Sequence, residues 1–265
     1  MNFFRTMFRC CSGFRSYREV RDLPVRASLL YLVQLIALLG LVLAARFVPW
    51  GWQLSDIVGD WTQAHVPPFR IQQGKVVADT PQPYRAGDED FLFLLDTTGK
   101  TTAADPQAMH GVLMMSDAFV FWLKPDRNPG SPVFAQRHSL SGFPDTEVTA
   151  DYVRNFVRAA VCMSVPMLLA GGFCVALAQI LLFSFAAAML ERGMANGLRW
   201  TQLFNIALHA VTPAAIIFVT YAALRLQGLD LQLIYIIAYG IFLLGATKAC
   251  REPTAEEKSA DNEWL

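Results

Sequence analysis

The stretch ASLLYLVQLIALLGLVLAA at residues 27–45 contains no charged side chain, and it decides the class of fold. A helix needs about 20 such residues to cross the hydrocarbon core of a bilayer. Three further uncharged stretches follow, at 159–190, 200–224 and 231–247. The sequence therefore predicts a helical membrane protein with four transmembrane helices, one before and three after a long polar segment.

The stretches divide the chain into regions. We predict a basic, aromatic leader, a first transmembrane helix, a small β-rich (α+β) domain, three more transmembrane helices and a disordered tail rich in acidic residues. In chain order these regions are 1–26, 27–46, 47–157, 158–190, 200–224, 229–247 and 248–265.

Composition agrees with a membrane protein. Hydrophobic residues make up 54% of the chain and charged residues 17%, whereas soluble domains have about 25% charged residues. Lysine plus arginine equals aspartate plus glutamate at 22 each. This balance does not favour a nucleic-acid partner. The expected partners are the lipid bilayer and either another protein or a second copy of the chain.

Charge asymmetry predicts the orientation. The leader contains several arginines but only Glu19 and Asp22 as acidic residues, and short flanks rich in basic residues stay cytoplasmic. Both termini are then cytoplasmic and residues 47–157 extracytoplasmic. Because the leader is long and Arg46 follows the small-residue exit, we expect an uncleaved signal anchor rather than a cleaved signal peptide. The arginines concerned are Arg5, Arg9, Arg15, Arg18, Arg21 and Arg26.

The leader and the cysteines each leave two interpretations open. The leader forms either an amphipathic helix in the inner leaflet or a basic tail with incidental aromatic residues. Residues 47–157 contain no cysteine, so we predict no disulfides there. Cys10 and Cys11 are either ordinary reduced thiols or, in a eukaryotic host, acylation sites.

The polar segment has the pattern of short strands. Gln73-Gly74 is a two-residue hairpin turn between two short strands at 70–72 and 75–77. Residues 91–95 form an unbroken apolar strand, and Ser116-Asp117 separates the strands of a second hairpin at 111–115 and 118–123.

Helices flank these strands on both sides. We predict a short amphipathic helix with its N-cap at Ser55, ending before Pro67. A second helix starts near Thr146 and runs without a break into the second transmembrane helix. This helix is longer than a bilayer requires, so tilt, projection beyond the bilayer or a kink must absorb the difference, and a kink would be expected at Pro166 and at Gly171-Gly172.

The segment Asp96-Thr97-Thr98-Gly99, followed by Lys100-Thr101, resembles two nucleotide-related motifs. A phosphate-binding loop requires a glycine where Leu94 stands, and the phosphorylated aspartate of cation-pumping ATPases is followed by lysine, where this chain has Thr97. We predict a structural turn instead, with the Asp96 side chain accepting hydrogen bonds from the backbone.

The third transmembrane helix carries the best candidate for intramembrane function. Asn205, His209 and Thr212 have the spacing of one helical face, and Pro213 frees a backbone carbonyl beside them. They either join helices, with Gln34 or Gln179 as partners, or line a path for a ligand or proton.

Reaction chemistry is not indicated elsewhere. His65, His110 and His138 are too far apart in sequence for a metal site, and serine and cysteine do not occur in a nucleophile motif. We therefore expect no cofactor and no enzymatic activity.

Several short motifs together resemble a bacterial family of multi-pass membrane proteins of unknown function. They are the Phe- and Arg-rich leader ending at Tyr17, residues 68–75, Pro83-Tyr84, the Asp96 turn, the hairpin at 112–123 and Thr212-Pro213. The proline-rich loop at 124–132 departs from the family pattern. The resemblance implies a location in the cytoplasmic (inner) membrane and this topology, and it implies no catalytic residue.

The sequence thus predicts a non-enzymatic membrane protein that binds or senses an envelope ligand or partner through residues 47–157. The helices would scaffold or transmit that event. The alternative is a small transport component that uses the Asn205, His209 and Thr212 face. An intramembrane enzyme is less favoured because His209 is the only ionisable residue of His, Asp, Glu, Lys or Arg type in the four uncharged stretches.

Overall fold

The computed structural model describes residues 2–101, 108–128, 131–191, 197–224, 228 and 230–251. The predicted disordered tail lies outside the described residues from residue 252 onward. The helices are α1 (Phe3–Ser12), α2 (Tyr17–Val20), α3 (Val25–His65), α4 (Ala150–Glu191), α5 (Trp200–Ala223) and α6 (Leu231–Cys250), with a 3₁₀ turn at Phe14–Ser16. The strands are β1 (Phe69–Gln72), β2 (Lys75–Val77), β3 (Tyr84–Gly87), β4 (Phe91–Asp96), β5 (His110–Met115), β6 (Ala118–Leu123), β7 (Phe134–Ser139) and β8 (Thr146–Val148).

Each predicted apolar stretch coincides with one of the helices α3 to α6, and the stretch 200–224 includes the C-cap of α5, Leu224. These four helices are long and apolar enough to cross a membrane. Helices α5 and α6 have 24 and 20 residues, close to the length that a bilayer requires. Helices α3 and α4 have 41 and 42 residues, or about 60 Å at 1.5 Å per residue, roughly twice the thickness of a hydrocarbon core.

Helix α3 corrects one prediction. The separate short helix with an N-cap at Ser55 is wrong, because α3 continues through Pro49 to His65. Ser55 instead donates its hydroxyl to the Trp52 carbonyl inside the helix, at 2.6 Å. A proline removes one backbone hydrogen bond, yet the helix continues, and Gly51, Ser55 and Gly59 are buried on the side that faces α4.

Helix α4 confirms the predicted unbroken run into the second transmembrane stretch, with Pro166 inside it. Its start is later than predicted. Residues Thr146–Val148 form strand β8, which pairs with β1, and the helix begins only at Ala150. Strand pairing therefore overrides the helical spacing of the first residues of this segment.

The chain forms two compact units. One contains residues 1–48 and 162–265, and the other contains residues 49–161. Helices α3 and α4 each contribute residues to both units. We call the first of these, residues 1–48 and 162–265, the helical unit. Helix α5 is its central helix, since 72% of the most apolar stretch of α5 is buried, whereas the buried share is 17–28% in the other three long helices.

The second unit contains two sheets. Their strand orders are β2-β1-β8 and β3-β4-β5-β6-β7. The predicted hairpins β1–β2 and β5–β6 are confirmed, and the turn of the first uses positive φ angles at Gln73 and Gly74. Strands β4 and β5 pair in parallel, from Phe91 beside His110 to Asp96 beside Met115. This parallel pairing was not predicted from the sequence.

The central strands of the larger sheet bury apolar side chains on both faces. On one face, Leu95 and Met114 pack with Phe69 and Ile71 of the smaller sheet. The opposite face buries a second cluster around Trp122. Gly111 lies directly beneath the Trp122 ring, and a Cβ atom there would be 2.1 Å from Trp122 Cζ2. The indole therefore requires a residue without a side chain at this position of β5.

Candidate functional site

The predicted polar face of α5 is buried in the helical unit. Asn205 is 1% exposed, and His209 and Thr212 are 0% exposed. Because an unpaired buried polar group is costly, the partners of these three side chains determine what the site can do.

Asn205 binds the chain that leads from α2 into α3. Its Nδ2 donates to the carbonyl oxygens of Arg21, at 3.0 Å, and Leu23, at 2.6 Å. These bonds fix the orientation of the amide, because only the NH₂ group can donate to a carbonyl. Asn205 Oδ1 is therefore directed elsewhere, and it has no hydrogen-bond partner among the described residues.

His209 hydrogen-bonds to its own helix. Its Nδ1 lies 2.8 Å from the Asn205 carbonyl oxygen. A carbonyl oxygen only accepts, so Nδ1 carries the proton, and in the neutral ring Nε2 is an acceptor. Nε2 is buried and has no partner within the part of the chain that the structure describes.

Tyr31 of α3 completes the face. Its ring stacks on the His209 ring with centroids 4.5 Å apart, and its hydroxyl lies 2.9 Å from Thr212 Oγ1. The suggested partner Gln179 instead accepts a hydrogen bond from the Tyr235 hydroxyl at 2.8 Å, and Gln34 is exposed. Tyr31 was not predicted as a member of this face. The signal that could have identified it is that Tyr31 is the single tyrosine in the first transmembrane stretch.

The leader also contacts the helical unit. Arg18 Nε donates to the Ala249 carbonyl at 2.6 Å, and an Arg21 Nη1 donates to the Cys250 carbonyl. The last carbonyls of a helix have no partner within the helix, so these arginines cap α6. The leader therefore folds against the helical unit, which neither of its two predicted interpretations included.

Asp22 joins the leader to the start of α5. Its Oδ1 accepts a hydrogen bond from Gln202 Nε2 at 2.7 Å. Hydrogen bonds from Gln202 and then from Arg21 hold the pKa of the Asp22 carboxyl below its ordinary value. The lowered pKa shows that these hydrogen bonds favour the ionised carboxylate.

The leader cysteines differ in accessibility. Cys10 is buried and Cys11 is exposed. Burial, together with the neighbouring Cys11 thiol, raises the pKa of Cys10 to about 12. The Cys10 carbonyl also accepts a hydrogen bond from the buried Tyr17 hydroxyl at 3.0 Å. The thiolate is the reactive form of cysteine. Cys10 therefore remains a thiol and contributes to packing rather than to reaction.

The Asp96 turn has the predicted geometry. Asp96 Oδ1 accepts from the backbone N–H of Thr98 at 2.8 Å and from its hydroxyl at 2.6 Å, and Oδ2 accepts from the backbone of Thr101. Gly99 has a φ of 77°, and Thr97 binds the side chain of Gln82. Burial raises the pKa of Asp96, but the hydrogen bonds outweigh it and lower the pKa to about 2.

The three remaining histidines lie apart. His65 stacks on Trp61, and His138 stacks on Phe119, whereas His110 is at the start of β5. No group of three potential metal ligands of His, Cys, Asp or Glu type occurs among the described residues.

A second candidate surface lies on β6 and β7. Strand β7 is the last strand of the larger sheet, and all six of its residues are exposed. Phe121, Leu123 and Phe134 are 43%, 43% and 61% exposed, and Leu123 and Phe134 are neighbours across the two strands. Among the described residues no strand pairs with the second edge of β7, and we call the three exposed apolar residues together with this open edge the β7 surface. The sequence pattern did not reveal this surface, because β7 itself was not predicted.

A family model described as "Protein of unknown function (DUF1189)" matches residues 4–246. The chain belongs to this family. The match includes the leader, both sheets and the long helices, so the DUF1189 family extends over both structural units. No curated protein and no solved structure matches the chain.

Proposed function

We propose that the protein is a non-enzymatic integral membrane protein that binds an envelope partner through the unit at 49–161 and passes this event to its helices. The β7 surface is the observation that carries the proposal. Natural sheets protect their edge strands, because an open edge pairs with other chains. Here an open edge lies beside three exposed apolar side chains and contains no proline.

The chemistry of the β7 surface specifies the kind of partner. The free N–H and C=O groups of an edge strand bind an added strand, and side chains on alternate positions provide specificity. Phe121 and Leu123 are two positions apart on β6 and therefore point to the same side of the sheet. The proposed partner is an extended segment of another envelope protein with apolar residues at alternate positions.

The orientation is part of the proposal. The arginine-rich leader favours a cytoplasmic N-terminus. Both termini would then lie in the cytoplasm and the unit at 49–161 outside the inner membrane of a bacterium. Helices α3 and α4 support a transmitting role, because each is a single helix with residues in both units.

The β7 surface is testable in the full-length protein in a bacterial membrane. A photo-crosslinking amino acid in place of Gln136 on β7 is expected to give one protein adduct, identified by mass spectrometry. Val77 on β2 is 47% exposed and serves as the matched control position.

Phe134→Asp should abolish the Gln136 adduct while leaving the yield of folded protein unchanged, because Phe134 is exposed. The same adducts at Gln136 and Val77, or an adduct that survives Phe134→Asp, would contradict a specific binding surface. Loss of the folded protein is checked by size-exclusion chromatography in detergent.

The transport alternative receives less support. Asn205, His209 and Thr212 are buried, and the Tyr31 ring lies on His209, so the face is packed rather than open in this structure. Solute flux in reconstituted vesicles that disappears in Asn205→Leu would favour transport over binding.

A further inference from the structure

Two of the unpartnered atoms on α5 are hydrogen-bond acceptors. His209 uses its Nδ1–H to donate to the Asn205 carbonyl, so its Nε2 presents a lone pair. Asn205 uses its NH₂ group to donate to two carbonyls, so its Oδ1 also presents lone pairs. Both atoms are buried on adjacent turns of one helix and lack a partner among the described residues.

Ser28 of α3 provides a third unpartnered atom. Its side chain is 0% exposed, and its Oγ has no partner in the described part of the chain. Ser28 precedes Tyr31 by three residues and therefore lies on the same helical face. Since the Tyr31 ring stacks on His209, Ser28 belongs to the layer between α3 and the Asn205–His209 face.

These three atoms are complementary in hydrogen bonding to one small guest. A buried polar atom that makes no hydrogen bond destabilises the folded state, so three such atoms in one layer favour a bound molecule that supplies their missing hydrogen bonds. A hydroxyl both donates and accepts, whereas Asn205 Oδ1 and His209 Nε2 only accept. The guest must therefore donate at least two hydrogen bonds.

We propose that Ser28, Asn205 and His209 bind one small hydrogen-bond donor, either water or an ammonium ion, between α3 and α5. Water would donate to Asn205 Oδ1 and His209 Nε2 and accept from Ser28 Oγ. Buried waters commonly make about three such bonds. Ammonium would donate to all three atoms. In both cases the guest places an exchangeable proton at His209 Nε2.

The site is tested on the full-length protein with ¹⁵N-labelled histidine in phosphatidylethanolamine–phosphatidylglycerol vesicles. Solid-state NMR with magnetisation transfer from water should detect a proton contact at His209 Nε2, and the resonance is assigned by its loss in His209→Gln. Ser28→Ala is expected to weaken that transfer at least threefold, because the guest loses one of its three partners.

Ser184→Ala is the matched control. Ser184 is equally buried, but its hydroxyl already donates to the Leu181 carbonyl at 3.0 Å, so the water transfer to His209 should not change. If Ser28→Ala does not fold, the transfer in the natural sequence still decides the proposal.

Two arms distinguish the guests. Transfer from water without any effect of ammonium chloride identifies water. A thermal unfolding temperature that rises with ammonium chloride, but not with sodium chloride at equal ionic strength, identifies ammonium. An assigned His209 Nε2 with neither water transfer nor an ammonium effect would overturn the proposal.

Discussion

At the scale of single residues, backbone groups are the main partners of the buried polar side chains. Asp96 accepts from backbone N–H groups of its own turn, and Asn205 donates to carbonyls of the preceding segment. Backbone partners of this kind cannot be removed by substitution elsewhere. The role of each side chain can therefore be tested by changing it alone.

Asp96→Asn should destabilise the protein by about 1–3 kcal/mol, since the amide replaces one of two accepting oxygens with a donor. Thermal and denaturant unfolding of the full-length protein in detergent at pH 7 measure this loss. Asp117→Asn is the control, because Asp117 is exposed and its ion pair with Arg137 has a length of 3.3 Å. An equal loss for both variants would contradict the structural role of Asp96.

The contribution of Asp96 also depends on pH. An unfolded aspartate has a pKa of about 3.9, and the folded pKa is about 2. The lower folded pKa stabilises the native state above pH 4, and this stabilisation declines as the pH falls from about 4 to 2. The stability difference between the natural protein and Asp96→Asn should shrink over that range, measured by unfolding at pH 6, 4 and 3.

Tyr31→Phe should cost about 1 kcal/mol, because the ring on His209 remains and only the hydroxyl beside Thr212 is lost. Tyr31→Ala should cost about 3–5 kcal/mol through loss of the buried ring. Thermal unfolding in detergent measures both variants. The exposed Tyr152 gives the control Tyr152→Phe, with no measurable change, and equal effects of the two Tyr31 variants would disprove the stacking contribution.

At the scale of elements, close packing of α3 and α4 depends on small residues. Gly51, Ser55 and Gly59 lie on one buried face of α3. Arg154 of α4 crosses Gly59 and forms an ion pair with Asp60 at 2.9 Å. Close approach and ion pairs therefore occur on the same part of the two helices.

Gly51→Val should cost about 1–3 kcal/mol, because overpacking forces neighbouring atoms apart. A Cβ atom at Gly51 would lie 2.6 Å from Val161 Cγ1, and a valine side chain cannot rotate freely away. Gly171→Ala of α4 is the control, since no described residue outside its own turn of helix has an atom within 4 Å of the added Cβ. Unfolding in detergent measures both variants, and a neutral Gly51→Val would refute this packing.

The leader should protect the end of α6. In the double variant Arg18→Met/Arg21→Met, the carbonyls of Ala249 and Cys250 lose their hydrogen-bond donors. We therefore expect faster amide hydrogen exchange in the last turn of α6. Mass spectrometry of peptides from 240–251 measures it. Arg15→Met, at an exposed position of the same leader, should leave that exchange unchanged.

At the scale of the whole molecule, the proposed orientation makes a labelling prediction. A cysteine in place of the exposed Val77 should react with an impermeant maleimide added outside intact cells, whereas the exposed native Cys11 should react only after permeabilisation. Labelling is read by mass spectrometry of the corresponding peptides. The reverse pattern would place the unit at 49–161 in the cytoplasm.

Local features of the fold could be predicted from the sequence, and long-range ones could not. The apolar stretch at 27–45 and the turn at Gln73-Gly74 act on their immediate neighbours, so pattern alone identified them. The parallel pairing of β4 with β5 and the stacking of Tyr31 on His209 join distant segments. Periodicity indicated which face of α5 is special, but it contains no information about which helix covers that face.

The arginine caps on α6 have a consequence for synthesis of the protein. Arg18 and the residue whose carbonyl it binds, Ala249, are 231 positions apart in the chain. During translation the leader therefore leaves the ribosome long before its binding site on α6 exists. At about 5–20 residues per second, this interval lasts at least ten seconds. Throughout that time helix α2 lacks its contacts with α6, so this part of the bundle closes late. A chain interrupted within α6 would leave Arg18 and Arg21 without the two carbonyls that they bind.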